Sequence, residues 1–77
     1  MKHYLVTHIG AELNKRFLAI TKLGNLWASS FQATRFNTME QAQIARQECG
    51  LNTRILWVDE SHPAKWGEVH GQYEIVR

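Results

Sequence analysis

Four histidines, a single cysteine and one adjacent pair of acids are the side chains of this 77-residue chain whose chemistry could be more than structural. Four imidazoles raise the question of a metal. His3 and His8 are five positions apart, so on one strand they point to opposite faces and cannot share an ion. His62 and His70 could converge, but zinc would require two more ligands, and closed zinc sites show paired short spacings that this sequence lacks. Exposed, titrating histidines are expected, with no metal and no cofactor. Cys49 would be a nucleophile only in an accessible, electropositive setting such as a helix N-terminus. It falls instead at the C-terminal end of a predicted helix, where the dipole disfavours an anion, and a small buried hydrophobe is the expected role. Asp59-Glu60 has no neighbour that would divide the pair into acid and base. No residue is assigned to catalysis, and a non-enzymatic protein is expected.

The length allows one domain, residues 1–77, near the lower limit for folding alone, where roughly 60% of the unfolded surface becomes buried. Such a core contributes about 3–5 kcal/mol net, so a partner subunit is a natural supplement. One cysteine cannot form an internal disulfide, MKHYLVTHIG does not read as a signal peptide, and no apolar run approaches the ~20 residues of a membrane span. A cytoplasmic protein with no membrane partner is the expectation. Nine basic and seven acidic residues give a net charge of +2, with the basic ones spread along the chain. Scattered charge reads as solvated surface rather than a phosphate track.

The elements that must position these side chains follow from periodicity. HYLVTHI (3–9) alternates and is rich in β-branched and aromatic residues, so it reads as a strand. GAELNK (10–15) suits a hairpin connection, and RFLAIT (16–21) is the second strand, with Phe17, Ala19 and Thr21 opposing Leu18 and Ile20. Gly24-Asn25 marks a turn before a third strand in LWASSF. The helix follows. Thr38 is its N-cap, Gln41 reaches back in a capping box, and Gly50 ends it. Met39, Ala42, Ala45 and Cys49 share one side and should face the sheet. NTRILWVD (52–59) is a strand, ESHPAKWGEVHGQ a long irregular excursion, and YEIVR a last strand with Tyr73, Ile75 and Arg77 alternating against Glu74 and Val76. The expected fold is α+β, a small antiparallel sheet of four to five strands with one helix on one face, in the order β-β-β-α-β-β.

Phe17 and Trp57 are expected in the core beneath the helix, because large aromatics are seldom left bare. Apolar residues in excess of the core carry the functional expectation. Ile44 projects away from Ala45 and Cys49, among Glu40, Gln47 and Glu48. Trp66 sits in HPAKWGEVHG with few apolar neighbours, either as a lid over an open sheet face or as an anchor for another protein. Trp66, Lys65, His62, Ile44, Gln47 and Glu48 are therefore the candidate protein-binding residues. The alternative is a small DNA- or RNA-binding module using Lys15, Arg16, Lys22 and Arg35, whose affinity would fall with salt. A homodimer through paired strand edges is compatible with either.

LWASSFQATRFNTMEQAQIAR, with Trp27, Ala33, Phe36, Thr38 and the Gln41-Ala42 step, resembles a pattern in small proteins of bacteriophages and mobile elements. Some of those proteins inhibit host defence, anti-CRISPR proteins among them, by blocking a host protein or complex without catalysis. The resemblance implies a partner of that kind in the host bacterium. It transfers no site residue, since the matched positions are structural.

Overall fold

A computed structural model describes residues 2–12, 15–50, 52–70 and 73–76. The chain forms β1 (Lys2–His8), β2 (Phe17–Thr21), β3 (Gly24–Ala28), α1 (Met39–Glu48), β4 (Thr53–Asp59), β5 (Lys65–His70) and β6 (Tyr73–Val76). The strands make one antiparallel sheet in the order β3-β2-β1-β4-β5-β6. The α+β class and the single helix on one face are as expected. The sheet gains a strand because the 60–72 excursion contains β5. Within it Gly67 pairs with Trp57, and a glycine at that position leaves room for the indole across the ladder. Leu13 and Asn14 of the first turn, and the alternation expected for Tyr73 to Arg77, lie outside what is described.

Alternation divides the sheet into two faces. Tyr4, Val6, Leu18, Ile55 and Trp57 point to the helix and pack with Phe36, Ala42 and Ala45, with Trp27, Met39, Cys49 and Val69 at the margin. The small Ala42 and Ala45 let the helix axis come close to β1 and β4. The helix is held at both ends. Thr38 Oγ1 accepts the Gln41 N–H at 3.2 Å, and the Gln41 side chain accepts the Asn37 N–H at 3.2 Å, so the box reaches one residue further back than expected. Gly50, at φ 80°, ends it, and Arg46 Nε donates to the Thr53 carbonyl at 3.1 Å. The β2–β3 turn falls at Lys22-Leu23, two residues before the expected Gly24-Asn25.

A wedge between β1 and β2 has no counterpart in the local sequence pattern. These strands pair around Thr7 and Phe17, and beyond that point they separate. Thr34 and Phe36 occupy the gap: the Thr34 N–H donates to the Leu18 carbonyl at 3.0 Å, and Phe36 exchanges both backbone bonds with Tyr4, at 2.8 and 2.9 Å. Thr34 Oγ1 accepts the Ile20 N–H at 2.7 Å, standing in for a backbone carbonyl. Thr34→Val keeps the shape and removes that acceptor. We expect it to cost about 1 kcal/mol in urea denaturation, and an unchanged midpoint would show that the bond carries no weight.

His3 gives the fold a pH dependence. It is buried on β1, and burial is the main influence holding its pKa below the usual 6.5; Glu60, 3.9 Å away, opposes this and Arg35 reinforces it. A histidine with a depressed folded pKa contributes stability above its unfolded pKa, and that contribution is lost as the pH falls below about 6.5. The denaturation midpoint should therefore drop between pH 7.5 and 5.5, with a smaller drop in His3→Gln. An equal drop in the variant would remove His3 as the source.

Candidate binding surface

The face opposite the helix is where side chains remain available. Residues on this face include His3, Leu5 and Thr7 of β1, Phe17 and Ala19 of β2, Leu26 and Ala28 of β3, Leu56 and Val58 of β4, and Trp66 and Glu68 of β5, as the strand registers and alternation require. Part of it is closed. Leu5, Ala19 and Ala28 are buried, and Ala33 of the connection after β3 is buried outside the helix-side cluster, so by elimination it belongs with them. The open part is a groove of about 320 Å³ lined chiefly by Thr7, Phe17, Arg54, Leu56, Trp66 and Glu68.

Two aromatic rings and an arginine thus border a groove with a threonine and a leucine among its lining residues. Trp66 is 50% exposed and pairs with Val58, so it stands on a strand rather than in a loop, with half of its surface open to solvent. Phe17 overturns its expectation. It sits one position from Leu18, and since Leu18 faces the helix, Phe17 must face the groove. Trp57 does lie beneath the helix.

An ion pair lies in the groove wall. Arg54 Nη1 and Glu68 Oε1 are 3.0 Å apart, and the other Glu68 oxygen is 2.9 Å from His70 Nε2. The Glu68 side chain is only 11% exposed, which makes the arginine contact more than a loose surface pair. Arg16, on the groove's opposite margin, is held by the Ala11 carbonyl, to which its Nε and Nη2 donate at 3.0 and 2.7 Å.

The other candidates fall elsewhere. Ile44, Gln47 and Glu48 are exposed on the helix, on the far side of the sheet from Trp66, so the two halves of the expected protein-binding set cannot form one patch. Lys65 adjoins Trp66 on β5 but points to the other face, and His62 lies in the exposed loop before it. The nucleic-acid set is dispersed. Lys15 and Arg16 precede β2 and Lys22 follows it, at least roughly 20 Å away along an extended strand, while Arg35 pairs with Glu60 at 3.5 Å.

The remaining titratable groups are used locally. His62 and His70 lie beyond opposite ends of β5 or at them, and His8 packs edge-on against Trp27 with ring centroids 5.2 Å apart. No group of three or more potential ligands is found among the described residues. The Cys49 thiol donates to the Ala45 carbonyl at 3.2 Å, and burial, aided by Glu48, pushes its pKa up. Asp59 accepts the Ser61 N–H at 3.1 Å, a bond that lowers its pKa and shapes the loop after β4. No described helix is long and apolar enough to cross a membrane. Compared with family models, curated proteins and solved structures, the chain matches none.

Phe17 is the site residue that sequence reasoning misassigned, and Arg54 and Glu68 are those it missed. A usable signal existed for Phe17 in the parity of β2. For Arg54 and Glu68 the pairing of β4 with β5 was required, and KWGEVH carries no strand pattern of its own.

Proposed function

We propose that this chain is a non-enzymatic binding protein that acts by occupying a surface of another protein, with the groove between Phe17 and Trp66 as its contact. The supporting observation is the half-exposed indole of Trp66, which lines one groove with Phe17 and Arg54. Tryptophan and arginine are the residue types that dominate binding energy at interfaces, and they do so in pockets that a partner's side chain can seal from water. The occupant is an apolar or aromatic side chain of the partner. It displaces water from the ring faces while Arg54, already oriented by Glu68, donates its remaining N–H groups to carbonyls at the rim.

By its resemblance to small phage and mobile-element proteins, the partner is a host protein or complex, with a component of antiviral defence, such as a CRISPR effector, the leading candidate. Steric exclusion suffices for inhibition and asks for no catalytic group. The test is retention of host proteins by the tagged chain, compared with Trp66→Ala and with a Lys15→Ala/Lys22→Ala variant. The reading requires a protein that is lost with Trp66→Ala and kept with the lysine variant. Retention of nucleic acid that depends on the lysines and weakens with salt would overturn it.

A further inference from the structure

We infer that two copies of this chain pair through β3, in one register, with Leu26 opposite Leu26 of its own copy. This goes beyond the groove and uses none of its residues. β3 ends the sheet order, so among the described residues one side of it has no strand. Which of its backbone groups face outward follows from the wedge. The His8 N–H donates to Arg16 and the Thr34 N–H to Leu18, so Arg16 and Leu18 direct their carbonyls toward β1, and the alternate residues Phe17, Ala19 and Thr21 direct theirs toward β3. The partners of Phe17, Ala19 and Thr21 are Ala28, Leu26 and Gly24. The intervening residues, Asn25 and Trp27, therefore present their N–H and C=O groups to the free edge. No bond from either is found among the described residues.

An antiparallel copy satisfies these four groups in one arrangement. Asn25 of one chain and Trp27 of the other exchange both bonds, the two-fold axis repeats the exchange, and Leu26 meets Leu26 at the close, non-hydrogen-bonded pair between them. A shift by one residue would oppose inward-facing groups to outward-facing ones, and a shift by two would halve the bonds.

The occupant is a second copy because the strand at this edge carries neither charge nor proline, with Glu48 at the end of the helix a charge near it. Monomeric proteins guard such edges with charge, proline or bulges. Residues 23–34, LGNLWASSFQAT, contain no charged residue and no proline. Leu26 is 47% exposed, while Leu23 in the turn and Phe31 in the connection are almost wholly so. With no charge in the strand, a copy lies against itself without like-charge repulsion. The axis stands perpendicular to the sheet, so the two grooves open on the same face, roughly 25–30 Å apart at strand spacing. A partner with two-fold symmetry would then be gripped twice.

Sedimentation velocity across 1–300 µM, about the range of a weak to moderate dimer, reads the state directly. The intact chain should shift from monomer to dimer. Leu26→Lys, which puts like charges face to face at a half-exposed position, should weaken the dimer by about tenfold or more while circular dichroism and the melting transition hold. Register is read by disulfide formation in a Cys49→Ser background. Leu26→Cys should cross-link copies on mild oxidation, and Asn25→Cys should not, because position 25 faces position 27 of the copy. A chain that stays monomeric throughout, or a dimer that Leu26→Lys leaves intact, would overturn the inference, as would cross-linking at 25 in preference to 26. Trp66→Ala should leave the dimer unchanged, which separates this result from that of the groove.

Discussion

Trp57→Ala is expected to leave the chain largely unfolded at 37 °C. The indole is 6% exposed, lies in the cluster beneath the helix, and has the Lys2 ammonium 5.1 Å above its ring. Truncating a buried tryptophan costs about 3–5 kcal/mol, as much as the roughly 3–5 kcal/mol net that so small a core supplies. At about 4–8 °C per kcal/mol for small domains, the melting temperature should fall by at least about 12 °C. The loss is large because Gly67 lies directly across the ladder and has no side chain to collapse into the space. A fall of less than about 5 °C would mean that the helix and sheet do not meet around this ring.

Trp66→Ala is expected to do the opposite. Half of the indole is already in water, so truncation forfeits only part of its burial, about 1 kcal/mol, and the fold persists. Binding suffers instead. Removing a central tryptophan anchor costs about 2–4 kcal/mol of affinity, roughly 30-fold to 1000-fold, which titration calorimetry against the identified partner would read. Arg54→Ala should weaken binding less, and it leaves the nearly buried Glu68 carboxylate with one partner fewer. Equal affinity of Trp66→Ala and the intact chain would remove the groove from the interface. The pair of tryptophans thus tests the division of the sheet into a structural face and a binding face, since the two residues are of one type and differ in which side of adjacent strands they occupy.

That division also makes a single mechanism of the groove and the β3 edge. The helix packs on one face of the sheet, and among the described residues no second helix covers the other. The connection through Ala33 closes part of that face, and the hairpin end stays open. A second copy added at β3 would extend the sheet without covering either groove, because β3 lies on the opposite side of β2 from β1, β4 and β5.

Local rules carried the reading of this chain a long way. The capping residues Thr38 and Gln41, the small helix face of Ala42 and Ala45, and the alternation in β1, β2 and β4 depend on neighbours within a few positions, where propensity and periodicity act, and apart from Phe17 they place the core. Strand β5 escaped because KWGEVH, with a glycine inside and a proline just before it, has no pattern of its own. Its conformation is imposed by hydrogen bonds to β4, and those become available only when the sheet forms. The same holds for Thr34 and Phe36, whose partners Leu18, Ile20 and Tyr4 are distant in sequence, and for the meeting of Phe17, Arg54 and Trp66 from three strands. What this sequence determined by itself was therefore the identity of its elements and which side of each is apolar. Which strands become neighbours, and hence which half-exposed side chains share a groove, was decided only by tertiary pairing, because backbone groups find partners across the whole chain while side-chain periodicity speaks only along one element.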